Sequence, residues 1–111
     1  MIATENLQSV LGTVQELLNV QDADKAQPLP ENENTAVYLL YLNELVHILM
    51  DCRIDGVTID KNCLAKKLEQ LYIQKLSEQK GNYFLNLKKI LEKKECREHL
   101  VYSLRDLGKN Q

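Results

Sequence analysis

Six basic side chains are concentrated in residues 87–104, LKKILEKKECREHLVYSL: Lys88, Lys89, Lys93, Lys94, Arg97 and His99. Lysine and arginine on one accessible face neutralise phosphates, and such contacts supply most of the sequence-independent affinity of a protein for DNA. Arg97 and Arg105 are the candidates for base edges, because a guanidinium makes bidentate contacts to guanine. The alternative is a solvated helix surface whose lysines pair with Glu92, Glu95 and Glu98 at helical spacing.

The charges of the chain are divided unevenly between its halves, although the net charge is only −2. Residues 1–60 hold ten acidic and two basic side chains, whereas residues 61–111 hold twelve basic and six acidic ones. This asymmetry is typical of proteins that bind nucleic acid or another acidic partner, and it adds Lys66 and Lys67 to the predicted DNA contacts. The alternative is that the acidic half neutralises the basic half within the fold.

No motif in the sequence predicts an enzyme. The chain has no phosphate-binding glycine loop, no HExxH and no nucleophile elbow. Cys52, Cys63 and Cys96 are far apart with no CxxC pair, and His47 and His99 are isolated. We therefore expect three reduced cysteines, Cys52 and Cys63 near the core, and neither a metal site nor a cofactor. His47 is predicted to have a hydrogen-bonded structural role inside an apolar helix.

The length of 111 residues predicts one domain with a single core. No segment approaches eighteen consecutive apolar residues, so no membrane span is expected. The first residues, MIATENLQSV, have neither a basic region nor a long apolar stretch. These features argue against a signal peptide and predict a cytoplasmic protein.

The first third of the chain is predicted to be an amphipathic helix followed by a linker. Apolar residues recur at helical spacing over residues 4–20, which favours one buried stripe. Residues 21–34 contain Pro28 and Pro30 among acidic and amide residues, which predicts an acidic linker that adds nothing to the core. Residues 35–53 are apolar around almost the whole helical circumference, which predicts a central buried helix capped by Asn34 or Thr35.

The remaining chain predicts three more helices. Residues 54–62 are expected to form a turn, and Thr58 or Asp60 is expected to cap the next helix, which covers residues 61–77. The lysines of this helix, Lys75 included, are expected to lie mostly off its apolar face. A fourth helix is predicted to begin near Tyr83. The apolar stripe that follows Cys96 is rotated about the helix axis relative to the stripe that precedes Glu92, which indicates a break between these residues and a fifth helix after it. No strand is expected. The predicted fold is all-α, a compact bundle of about five helices, with an N-terminal part over residues 1–34 and a helical domain over 35–111.

Residues 60–107 also have the order of a helix-turn-helix unit, in which a second helix is offered to the major groove. The chain from about Tyr38 to Leu107 resembles the C-terminal domain of the RteC family, regulators encoded on conjugative transposons of Bacteroides-type bacteria. The segments that carry the resemblance are LNELVHIL (42–49), LAKKLEQLY (64–72) and ILEKKECREHLVYSL (90–104). The family often has asparagine where Cys96 stands and an aromatic residue where Leu100 stands. The resemblance implies an all-helical DNA-binding regulator that uses Lys93, Lys94 and Arg97.

Two functional hypotheses follow. The first is a transcriptional regulator of a mobile genetic element that binds double-stranded DNA, with a homodimer formed through residues 4–20 to read two half-sites. The second is a helical protein-interaction module whose 4–20 helix docks in the groove of a partner and whose lysines are only solvated. Tyr83 and Phe84 raise a further option, a base-stacking platform for single strands, although Phe84 fits the apolar stripe better.

Overall fold

Five helices and one short hairpin form the described part of the chain, which in the computed structural model comprises residues 4–17, 26–55 and 58–109. In chain order the elements are α1 (Glu5–Leu17), α2 (Ala36–Asp51), β1 (Arg53–Asp55), β2 (Thr58–Ile59), α3 (Lys61–Ser77), α4 (Tyr83–Leu91) and α5 (Lys94–Lys109). The predicted bundle of about five helices is confirmed. No helix in these ranges is both long and apolar enough to cross a bilayer.

The apolar stripe of α1 is buried within this chain. Leu7, Val10 and Val14 are buried, and α1 packs against both α3 and α4. A helix whose stripe already lies in its own core leaves little apolar surface for a second copy. The homodimer and the partner docking expected through residues 4–20 therefore gain no support from this packing, and residues 18–20 lie outside the described ranges.

The central helix α2 is buried on one side only. Leu42, Leu45, Val46 and Leu49 lie in the core, where α2 packs against α3 and α5. On the opposite face of its first turns, Val37 and Leu40 are exposed to 58% and 72%, whereas Tyr38 and Leu39 pack against the core. His47 is also exposed, and the prediction of a buried helix with a structural histidine is wrong at these positions.

A short antiparallel hairpin replaces the turn expected over residues 54–62. Arg53 of β1 lies opposite Ile59 of β2, and Asp55 lies opposite Thr58. The prediction of no strand is therefore wrong for five residues, too few for an alternating pattern to be seen in the sequence.

The hairpin folds the end of α2 back onto the start of α3 and thereby joins two cysteines. Cys52 and Cys63 form a disulfide, with their Cα atoms 5.5 Å apart. The expectation of three reduced cysteines is wrong for this pair, because separation along the chain does not measure separation in space. Cys96 is free and buried, as a small core residue. Asp60 caps α3 as predicted, since its Oδ1 accepts hydrogen bonds from the N–H groups of Asn62 (2.9 Å) and Cys63 (3.2 Å).

The segment before α2 contributes to the core, contrary to the expectation of a linker without one. Leu29 is buried at 8% exposure, and its backbone N–H donates to Nδ1 of His99 on α5 at 2.9 Å. Thr35 stands at the N-cap of α2, but its side chain makes no cap bond to the helix and donates instead to the carbonyl of Pro30. Residues 21–25 of the predicted linker lie outside the described ranges.

The predicted break between the fourth and fifth helices is confirmed. α4 ends at Leu91, α5 begins at Lys94, and only two residues join them. Each helix keeps its own buried stripe, and the stripes meet the same core: Phe84, Leu87, Ile90 and Leu91 from α4, and Cys96, His99, Leu100 and Leu104 from α5. The break turns the chain so that both stripes face inward, and the lysines between them face outward.

Candidate nucleic-acid interface

Four lysines gather where α4 meets α5, and we call Lys88, Lys89, Lys93 and Lys94 the basic corner. Lys89, Lys93 and Lys94 are exposed, and Lys88 is half-buried. The buried neighbours Leu87, Ile90 and Leu91 fix the rotation of α4, so the remaining positions of its last turn must face solvent. An ammonium group on an exposed flexible stem is a compact point charge suited to a phosphate.

Two lysines of the basic corner border an apolar cleft between α2 and α4. The cleft has a volume of about 410 Å³, and Lys89, Lys93 and Ile90 form one side. Val37, Tyr38 and Tyr41 of α2 form the other side, and Asn86 of α4 donates a hydrogen bond from Nδ2 to the Tyr41 hydroxyl at 3.1 Å. Lys93 Nζ lies 5.6 Å from the centroid of the Tyr38 ring, within the range of a cation–π contact. Tyr38 and Tyr41 were not among the predicted site residues, because a tyrosine on an apolar helix has the pattern of a core residue.

Lys94 has one ionic partner. Its Nζ lies 3.9 Å from Oε1 of Glu98, one turn further along α5, and its side chain is 80% exposed. Such an exposed pair contributes little, about 0.5 kcal/mol or less. The alternative hypothesis expected lysines to pair with glutamates such as Glu98, and Lys94 does so. This pair is too weak to prevent Lys94 from binding a phosphate instead.

Arg97 supports the corner from inside. Its Nη1 donates to the carbonyl oxygens of Leu91 at 3.0 Å and Glu92 at 2.9 Å. These carbonyls end α4 and have no further helical N–H to accept from. A guanidinium at a helix C-terminus also interacts favourably with the partial negative charge there. Arg97 was predicted to contact base edges. In the structure its guanidinium binds the carbonyl end of α4, a contact that this prediction did not include.

The other predicted contacts stand on other parts of the bundle. Arg105 is half-buried on α5, two turns beyond Arg97. Lys66 is exposed and Lys67 half-buried, and both belong to α3, which packs against α1 and α2. The helix break thus gathers Lys88, Lys89, Lys93 and Lys94, whereas Lys66 and Lys67 lie on α3 and Arg105 lies further along α5.

A polar cluster ties α2, α3 and α4 together beside the cleft. Lys75 is buried, and its Nζ lies 3.3 Å from Oε1 of Glu44 and 4.6 Å from the centroid of the Tyr83 ring. The Tyr83 hydroxyl donates to Oε2 of Glu44. Burial, together with this hydrogen bond and the charge of Glu44, raises the pKa of Tyr83, so the phenol is a neutral donor.

This cluster corrects the placement of Lys75, which was expected off the apolar face. The spacing Leu64, Leu68, Leu71, Lys75 continues one helical stripe, and that spacing was the signal for its burial. The prediction that Phe84 packs in the core is confirmed, since it is 2% exposed and its ring meets that of Tyr72 edge-on at 5.4 Å. Tyr83 instead packs against Tyr41 with ring centroids 4.8 Å apart.

Within the described ranges, no group of three or more histidine, cysteine or carboxylate side chains is arranged to hold a metal ion.

Comparison with protein-family models finds no matching family, and comparisons with curated proteins and with solved structures find no match either. The resemblance to the RteC family therefore stays a prediction that rests on the segments quoted above.

Proposed function

We propose that this protein is a small helical DNA-binding regulator whose basic corner contacts the phosphates of double-stranded DNA. The observation that carries the proposal is the clustering of four lysines within seven residues at the α4–α5 break, three of them exposed. The resemblance to the RteC family points in the same direction and adds transcription regulation on a mobile genetic element.

The chemistry of the proposed contact is electrostatic. Lys89, Lys93 and Lys94 would each replace a condensed counterion on a phosphate, and Lys88 would add to the local potential. The chain as a whole has a sequence pI of about 5.7, so the attraction must come from this local concentration of charge rather than from the net charge. Binding of this kind weakens steeply with salt.

The remaining predicted contacts enter the proposal in different roles. Arg97 acts as a positioning residue, because its guanidinium holds the carbonyl end of α4 against the start of α5. Lys66, Lys67 and Arg105 stay predicted DNA contacts. The proposed regulator acts as a single copy at each site, since the α1 stripe expected to form a homodimer is buried in the chain's own core.

The proposed compartment is the cytoplasm, where a regulator meets DNA. Structural disulfides are rare in that reducing compartment. Reduction there would open the Cys52–Cys63 bond, and the hairpin would then be held by its backbone hydrogen bonds, by the buried Ile59 and by the Asp60 cap.

The experiment is binding of the purified chain to a labelled random-sequence duplex. With three phosphate contacts, affinity should fall by about 40-fold between roughly 50 and 200 mM salt. Binding with that salt dependence would support the proposal, and it would justify selection of a preferred sequence. Absence of binding at the lowest salt would contradict it and leave the lysines as a solvated surface.

A further inference from the structure

We propose that the cleft between α2 and α4 is a docking site for an acidic amphipathic segment of a partner protein. The proposal rests on the shape, apolar lining and charge of the cleft, and it stands independently of DNA binding. Contact with phosphates accounts for the lysines at the edge of the cleft, but it gives no role to the apolar side chains beside them.

One apolar side chain at this site is exposed to solvent. Val37 is 58% exposed, and Leu40, which is 72% exposed one turn further along α2, lies outside the cleft lining. Val37 belongs to the cleft together with Tyr38, Tyr41 and Ile90. Large apolar side chains grouped at one concave surface mark a protein-interaction site, since covering them removes apolar area from water.

The dimensions of the cleft favour a peptide over a small molecule. A second cleft, of about 260 Å³, adjoins the first and shares Tyr41 and Asn86 with it. The two clefts lie in line along α2 and α4 toward Lys80 and Gly81 in the turn before α4, and the hydrogen bond from Asn86 Nδ2 to the Tyr41 hydroxyl (3.1 Å) lies between them. We call this pair of clefts the groove. An open groove with two helical walls accepts the side chains of a third helix at positions i, i+3 or i+4, and i+7.

The charges around the groove select an acidic occupant. Lys89 and Lys93 stand at one end of it, and Lys80, whose Nζ lies 3.6 Å from Oε1 of Glu78, stands at the other. Among the residues that the structure describes, no carboxylate lines either cleft. A segment with leucine-like anchors on one face and aspartate or glutamate at its edges would complement both the floor and the ends.

The aromatic rings of the groove are poorly placed for an unpaired nucleic-acid base. Base stacking needs an open aromatic face. The Tyr41 ring packs against Tyr83 at 4.8 Å, and Lys93 Nζ covers the Tyr38 ring. Aliphatic Val37 and Ile90 complete the floor, and they fit the branched side chains of a peptide better than a flat base.

The test is a selection of displayed random peptides, each about 15 residues long to allow four helical turns, against the full chain. We expect the enriched peptides to carry apolar residues at helical spacing and a net negative charge. Their affinity should fall by more than about tenfold in Val37→Glu. The matched control is Ile73→Glu, because Ile73 is also 58% exposed but lies on α3, away from the groove, and this variant should bind as the wild type does.

A second variant keeps the test valid if Val37→Glu fails to fold, as judged by circular dichroism. The double variant Lys89→Glu, Lys93→Glu should lose the acidic peptides as well. A parallel arm measures binding of single-stranded oligo(dT). Three outcomes would each overturn the proposal. They are failure to enrich any peptide, enrichment of basic or purely apolar peptides, and equal peptide binding by Val37→Glu and the wild type. Oligo(dT) binding that is lost in Val37→Glu, without peptide enrichment, would assign the groove to nucleic acid and overturn it too.

Discussion

The backbone N–H of Leu29 donates a hydrogen bond to Nδ1 of His99 at 2.9 Å, and the two residues are 70 positions apart in the chain. Both residues are buried, so this bond joins the segment before α2 to α5 in a place largely shielded from water. The bond requires a neutral imidazole with an unprotonated Nδ1. The stability of the fold is therefore coupled to the titration of one histidine.

The first prediction concerns pH. Burial lowers the pKa of His99 below its ordinary value, so the unfolded chain takes up a proton at a higher pH than the folded chain does. Stability from this residue is present above the ordinary histidine pKa of about 6.5 and is lost as the pH falls below it. The free energy of unfolding, measured by urea denaturation, should be lower at about pH 5.5 than at about pH 7.5 in the wild type. This decrease should be smaller in His99→Asn, because the asparagine Oδ1 accepts the same hydrogen bond and does not titrate.

The control for that experiment is the exposed His47. His47→Asn should leave the pH dependence as it is in the wild type, because it keeps the Leu29–His99 hydrogen bond in place. Equal pH dependence in wild type and His99→Asn would contradict the coupling.

The second prediction concerns the disulfide between Cys52 and Cys63, which closes a loop with a sequence separation of 11. Closing a loop of this length restricts the unfolded chain by about 3 kcal/mol in the chain-entropy model. Adding a reductant should lower the free energy of unfolding by that order, measured by urea denaturation. The Cys52→Ser, Cys63→Ser variant should be equally destabilised and indifferent to reductant. A wild type that unfolds at the same urea concentration with and without reductant would rule out a stabilising bridge.

The third prediction separates a buried ion pair from an exposed one. Lys75 is 11% exposed at its side chain and depends on Glu44, which is 38% exposed and also accepts from Tyr83. Glu44→Ala leaves the ammonium group with the 3.8 Å contact to Glu78 and the face of the Tyr83 ring, so we expect a loss of about 1–2 kcal/mol. Glu98→Ala removes the partner of the exposed Lys94 and should cost less than about 0.5 kcal/mol. Equal losses in thermal or urea unfolding would refute a special role for Glu44.

The fourth prediction distinguishes support of the helix corner from base recognition at Arg97. Arg97→Ala removes two hydrogen bonds to the end of α4 and should destabilise the fold by about 2 kcal/mol. Arg97→Lys should recover part of that loss, and Lys94→Ala should cause almost none. A variant Arg97→Ala with unchanged stability and weakened sequence-specific DNA binding would instead assign the residue to base contacts.

Local patterns in the sequence predicted much of this fold, for identifiable reasons. The break before α5 followed from the rotation of one apolar stripe relative to the next, and the Asp60 cap followed from residue type and position. The disulfide, the Leu29–His99 bond and the exposure of Val37 and Leu40 depend on which elements pack together, and no local periodicity carries that information.

The candidate site divides in the same way. Lys88, Lys89, Lys93 and Lys94 were visible as a cluster in the sequence, and the helix break holds them together. The cleft that Lys89 and Lys93 share with Tyr38 and Tyr41 arises only when α2 and α4 come side by side. The sequence position of Arg97 is compatible both with a base contact and with a structural contact. Only the folded structure shows that its guanidinium donates to the carbonyls of Leu91 and Glu92.

The most direct test of the proposed function is duplex DNA binding by two charge-matched double variants. Lys93→Glu, Lys94→Glu reverses two lysines of the basic corner, whereas Lys61→Glu, Lys80→Glu reverses two exposed lysines elsewhere. We predict that the first variant weakens binding by more than about tenfold at low salt and reduces the salt slope by about two, while the second changes affinity by less than about threefold. Equal affinities for the first variant and the wild type, or equal losses in both variants, would contradict the assignment of DNA binding to this corner.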